Sequence, residues 1–249
     1  MINQKGGVGK TTTVFNLGCG LALHERSVLL IDLDPQANLT AWAGLSDADP
    51  TITDLFTDSI KIDRVVYTGR EAFPDIVPVS NDLAGIDVVL ASKIGREQRL
   101  KKAIASVVDR YDYIIIDCPP SLGLLTINAM VASQEVIIPV QSKVMALSGI
   151  VSLVDTVALV KDSYNSDLKI TGVVACMYDT RTNLSRDVLT ELKTADITRR
   201  ILFDTVIREN VRLAEAPSFE ESIFEYSPDS NGAMDYRNLT FECIKMERK

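Results

Sequence analysis

The chain has 249 residues, of which 46% are hydrophobic and 24% charged, enough apolar mass for one sizeable core and too little polar bias for wholesale disorder. A net charge of −8 excludes a protein that coats nucleic acid with its whole surface, although a local basic patch can still hold a phosphate backbone. Four scattered cysteines, Cys19, Cys118, Cys176 and Cys243, form no CxxC pair, so neither a zinc site nor a disulfide framework is indicated and a reducing cytoplasm fits best.

The first motif opens almost at Met1. Glycines at 6, 7 and 9 in Lys5-Gly6-Gly7-Val8-Gly9-Lys10-Thr11-Thr12 let successive backbone N–H groups curl around phosphate oxygens without Cβ clashes. A predicted helix over Thr11–Leu23 then turns its positive end toward the same anion. Lys10 supplies a point charge, and Thr11 stands where a hydroxyl can ligate Mg²⁺. Such a loop normally leaves the end of a buried strand, yet only Met1 to Gln4 precede it: either that strand is very short or residues are missing upstream.

Beyond the first helix, short β-branched runs alternate with stretches of helical period. Strands are predicted at Val28–Ile31, Ile76–Val79, Tyr113–Ile116, Val136–Val140, Ile170–Cys176 and Thr205–Ile207, and further helices at Gln98–Arg110, Ser148–Ser163 and Arg186–Thr194. The less regular Leu45–Arg70 holds a loop and a short helix. The pattern predicts an α/β fold, a doubly wound and mostly parallel sheet with helices on both faces, built as one domain over residues 1–249 with its first strand truncated. The longest apolar runs fall far short of a bilayer span.

Two strands end in acids, where open α/β sheets place their ligand crevice. Asp32 and Asp34 close the first, and two uncompensated carboxylates there imply a cation, a lysine or an ordered water as partner. Asp117 closes the third, before Cys118-Pro119-Pro120-Ser121.

The K-G-G-x-G-K-T-T loop, the Ile31-Asp32-Leu33-Asp34-Pro35-Gln36 segment and the Tyr113-Ile-Ile-Ile-Asp117-Cys-Pro-Pro120 segment, in that order, resemble the ParA/MinD family of deviant Walker A ATPases with its P-loop NTPase fold. Gly172 to Ser185 and Val206 to Ser218 are similar to the partition branch of that family. The resemblance implies ATP and Mg²⁺ as cofactors, held by Gly6 through Thr12, with Thr11 and Asp117 on the metal, directly or indirectly in the case of Asp117. It implies that Asp34 positions the attacking water, that Lys5 reaches the phosphates of a partner in an ATP-dependent homodimer, and that Met177 and Asn210 lie near the adenine. It also implies nonspecific double-stranded DNA binding through Arg181 and Arg212, a ParB-like adaptor that stimulates slow hydrolysis, and a cytoplasmic protein on the nucleoid when ATP-bound, with no stable membrane association.

Where the family commonly has Pro-Arg-Asn this chain has Arg208-Glu209-Asn210, which weakens the expectation for DNA and for Asn210. Three rivals stand beside this reading: a MinD-like membrane-recruited switch, whose tail helix would be Phe241–Lys249; a non-hydrolysing nucleotide-binding relative; and an iron–sulfur reductase, for which no suitable cysteine pair follows the switch segments.

Overall fold

The computed structural model describes residues 1–57, 60–142 and 146–247. Its elements run α1 (Lys10–Leu23), β1 (Val28–Asp32), α2 (Asn38–Trp42), α3 (Ile52–Phe56), β2 (Asp75–Val77), α4 (Ile86–Leu90), α5 (Arg99–Ile104), β3 (Tyr113–Asp117) and α6 (Leu124–Ala132). There follow β4 (Glu135–Gln141), α7 (Ala146–Ser163), β5 (Lys169–Tyr178), α8 (Asn183–Thr194), β6 (Leu202–Arg208), α9 (Val211–Glu215), α10 (Ile223–Tyr226) and α11 (Asn231–Met246). All six predicted strands form, and every pairing between them is parallel.

The strands divide into two half-sheets, ordered β2-β1-β3 and β4-β5-β6. The first residues of the chain lie between them: the Met1 ammonium donates to Ile116 O at 2.8 Å and Ile2 N to Ile137 O at 3.2 Å. β1 is buried along its whole length and so on both faces, as a parallel strand covered by helices must be. In β1, Leu29 and Ile31 join a core with α3, α5, α6 and α7, while Val28 and Leu30 join another with α1, α2 and α11. The first of these cores runs under both half-sheets, taking Ile116 from β3 and Ile138 and Val173 from β4 and β5.

Several boundaries move, each for a local reason. The predicted strand Ile76–Val79 stops at Val77, because Pro78 has no N–H for a ladder and Val79 N is spent on Thr40 Oγ1 at 3.0 Å. The predicted helix Gln98–Arg110 is broken: Val107 N and Arg110 N bond to carbonyls three residues back, the tighter 3₁₀ pattern, around the β-branched pair Val107 and Val108. The helix predicted at Arg186 starts at Asn183, behind a Thr182 cap that accepts from Ser185 N.

The tail is not a free amphipathic helix. It is the last part of α11, which packs on α1 and β6, with Cys243 buried and Ile244 against the core; Phe241 and Met246 are exposed, and residues 248 and 249 lie outside the described ones.

Candidate nucleotide site

The loop reaches Lys10 through two backbone positions that only glycine adopts without strain, Gly7 at φ 70° and Gly9 at φ 90°, and Gly9 caps α1. A Cβ on Gly9 would also lie 3.7 Å from Cys176, so the loop rests on the end of β5. Val8 is buried and Lys5 exposed; Gly6 is open, and Thr11 and Thr12 are half-buried at the start of α1. Lys10 is buried, with Nζ donating to Lys5 O at 3.4 Å. Burial pulls its pKa down, and the carboxylates of Asp117 and Asp34 oppose that shift.

Asp32 and Asp117 are directly paired in register on β1 and β3, yet their surroundings differ. Asp32 accepts from Asp34 N at 3.0 Å, Thr40 N at 2.9 Å and Thr40 Oγ1 at 2.8 Å. Its partners within the chain are therefore backbone amides and a threonine. Thr40 passes the connection on by accepting from Val79 N. Complete burial, with Asp117 next to it, still pushes Asp32 up to about 7 against the help of these donors.

Asp117 has no hydrogen-bond donor of this kind among the described residues. It is buried, and among the described residues neither carboxylate oxygen has a hydrogen-bond partner. Burial raises its pKa; the Thr11 hydroxyl, though outside hydrogen-bond geometry, then the Met1 ammonium and the Lys10 charge pull the other way, while Asp34 adds to the rise. A buried carboxylate left bare is costly, and a hard cation with oxygen ligands is the group that removes the cost. Asp117 and Thr11 fit Mg²⁺ in donor type and in position below the loop.

Asp34 is buried beside this cluster, with Oδ1 accepting from Gln36 N at 3.0 Å, which fixes the aim of its carboxylate. Met177 and Asn210 stand at the ends of β5 and β6. Met177 has φ 52° and accepts through Sδ from Gln141 Nε2 at 3.1 Å, whereas Asn210 caps α9 by accepting from Arg212 N at 2.9 Å. Asn210 is thus occupied as a cap, and the arginine shifted to 208 forms an ion pair with buried Asp235 at 2.6 Å.

Arg181 and Arg212 follow the ends of β5 and β6, which the bond from Glu209 N to Tyr178 O ties together. Both are already paired: Arg181 grips Asp179 with Nε at 2.9 Å and Nη2 at 3.0 Å, and Arg212 holds Glu215 at 2.9 Å. The Arg181 side chain is 84% exposed, so its ion pair lies in water.

Sequence reading missed Thr40, Tyr236 and Asn16. Thr13 shares a hydrogen bond with the buried Tyr236 hydroxyl at 3.2 Å, and Asn16 accepts from Ile223 N at 2.8 Å, so α10 and α11 both hold the helix that carries the loop. Thr40 lies eight residues beyond Asp32 and Tyr236 at the far end of the chain, spacings that carry no motif.

The AAA domain family matches residues 1–170. The sporulation initiation inhibitor protein Soj of Bacillus subtilis is 47% identical over 96% of this chain and 95% of its own length. The chromosome partitioning protein ParA of Myxococcus xanthus is 41% identical over 98% and 87%. Among solved structures, cobyrinic acid a,c-diamide synthase of Mycobacterium smegmatis with bound ADP and magnesium superposes with a TM-score of 0.86 at 33% identity, covering 100% of this chain and 94% of that one. The loop, its acid cluster and these relatives place the chain in the ParA/MinD family of P-loop ATPases, on the partition branch.

Proposed function

We propose that this protein is an ATP-operated positioning switch. In this reading it binds Mg·ATP at Lys5 to Thr12, pairs with a second copy in that state, and holds duplex DNA nonspecifically. A ParB-like adaptor stimulates its slow hydrolysis to ADP and phosphate, and the dimer then lets go. The protein works in the cytoplasm and sits on the nucleoid while ATP-bound, moving or segregating a plasmid, a chromosome or another cargo.

The observation that carries the reading is the bare, buried Asp117 carboxylate beside Thr11 and Lys10. Thr11 and Asp117 would hold magnesium, which would supply charge neutralisation for the phosphates. The loop amides and Lys10 bind and orient the β and γ phosphates, and Asp34, its carboxylate fixed by Gln36, orients the attacking water. The M. smegmatis relative, which binds ADP and magnesium, supports this choice of ligands.

Lys5 is exposed at the mouth of the loop, the position from which a lysine can reach a facing copy. Arg181 and Arg212 form the DNA edge, each copy in the dimer adding its own pair. Their acid partners Asp179 and Glu215 are exchanged for phosphate on binding, which makes the affinity modest and salt-sensitive.

The test is Lys5→Ala. ATP uptake by calorimetry stays near that of the parent, while the ATP-dependent dimer disappears from light scattering. A dimer that persists unchanged overturns the switch.

A further inference from the structure

The turn that carries Asp34 is too short to hold itself in place. It runs into α2, a helix of five residues entered at Ala37 with φ 54°, a left-handed backbone that holds a non-glycine residue at some cost. Ala37 N donates to Asp34 O at 2.8 Å and Ala41 N to Ala37 O at 2.8 Å, so the aim of Asp34 follows the seating of α2. Thr40 ties the middle of this piece to Asp32. One tie leaves a small unit free to pivot, and a second tie at its far end fixes it.

Trp42, the one tryptophan of the chain, provides that second tie. Its buried ring stacks on Phe15 of α1 with centroids 4.5 Å apart, and its indole Nε1 donates to Glu221 O at 2.8 Å, across 179 residues of sequence. Any large aromatic ring could serve the stack. The indole adds a single donor, and a hydrogen bond is directional where a stack can slide. Gly44, at φ 71°, brings the end of the turn so close to the same segment that a Cβ there would lie 2.7 Å from the Glu220 carboxylate. Two residues past Glu221, Ile223 N donates to Asn16 Oδ1 at 2.8 Å, and Asn16 Nδ2 donates to Thr12 O at 2.9 Å. Residues 220–223 are therefore a common base for both halves of the site, gripping the helix under the phosphate loop through Asn16 and the Asp34 turn through Trp42.

We propose that Trp42 is a positioning residue for hydrolysis: its indole N–H, bonded to Glu221 O, sets the aim of the Asp34 carboxylate through α2. The proposal rests on the reading of Asp34 as the group that orients the attacking water.

Trp42→Phe keeps a ring on Phe15 and removes the donor. ATP affinity by calorimetry is expected to stay within about twofold of the parent, while single-turnover hydrolysis slows about tenfold. A cycle with Asp34→Asn supplies the second reading. In that background the Trp42→Phe change should cost less than about twofold, because the carboxylate that it aims is already gone. A merely structural loss would lower affinity and rate together and carry over undiminished into the Asp34→Asn background. Should Trp42→Phe fold poorly, the benzothiophene analogue of tryptophan, incorporated at the one tryptophan position, removes the N–H without changing the shape and takes its place in the cycle. A parent-like rate without the donor, a joint fall of affinity and rate, or an equal loss in both backgrounds overturns the proposal. If Asp34→Asn is slow but Trp42→Phe is not, the role of Trp42 alone falls; if Asp34→Asn hydrolyses like the parent, the reading of Asp34 falls and this role with it.

Discussion

The strand ends of one half-sheet and those of the other carry charge in opposite states. At the ends of β1 and β3, Asp32, Asp34 and Asp117 are buried, and what each lacks or possesses in partners decides its role. At the ends of β5 and β6, Arg181 and Arg212 are exposed and each is matched by a neighbouring acid. Burial makes an unmatched charge expensive, so the bare Asp117 demands a ligand, while the fully bonded Asp32 serves as a clamp on the turn that carries Asp34. Exposure makes charge cheap, so the arginines can trade one partner for another at little cost.

Substitutions test that contrast, and the largest effect falls on the bare carboxylate. Asp117→Asn removes the anion without changing shape, and turnover in a magnesium-dependent phosphate-release assay is expected to fall by about 10³-fold, roughly 4 kcal/mol of transition-state stabilisation. Because the variant also sheds an unpaired buried charge, its nucleotide-free melting temperature at pH 8 should stay at or above that of the parent. A parent-like rate would remove Asp117 from the metal site.

Thr40→Val comes next, since it keeps the shape but breaks the Asp32 bond and orphans Val79 N. Urea unfolding should show a loss of about 3 kcal/mol; a loss under about 1 kcal/mol would mean that the clamp is not needed.

The pH response is smaller. The folded state holds the Asp32 proton up to about 7, whereas the unfolded chain releases it near the ordinary 3.8, so stability is highest below about 4 and is lost as pH rises through 7. Between pH 5 and 6.5 that amounts to about 2 kcal/mol, with Asp117 acting in the same direction. Asp32→Asn should flatten this part of the curve, and an unchanged slope would assign the proton elsewhere.

The smallest effect on stability belongs to the arginine edge. Arg181→Glu with Arg212→Glu should shift melting by no more than about 2 °C, because surface pairs contribute little. The same variant should weaken duplex DNA binding and flatten its salt dependence; equal affinity in a gel shift would reject this edge as the DNA surface.

The contrast also marks how far the sequence could be read. Motifs of neighbouring residues were legible: the glycine loop, because Gly7 and Gly9 meet a backbone requirement that few other residues can, and the runs ending in Asp32 and Asp117, because a strand buried on both faces must be apolar until it stops. Helix α11 escaped notice because its buried face is built of Gly232, Ala233, Tyr236, Thr240 and Cys243 around Leu239, small and polar groups with little hydrophobic period.

By itself, then, the sequence determined the six parallel strands, the phosphate loop and the order of its acids, since each is set by local backbone geometry and side-chain polarity. Only the tertiary structure decided which aspartate is satisfied and which is bare, and that Arg181 and Arg212 are each paired with an acid. Those outcomes depend on partners far away in the chain, such as Val79 for Thr40, Tyr236 for Thr13 and Ile116 for Met1, and no local pattern records a partner that folding alone brings near.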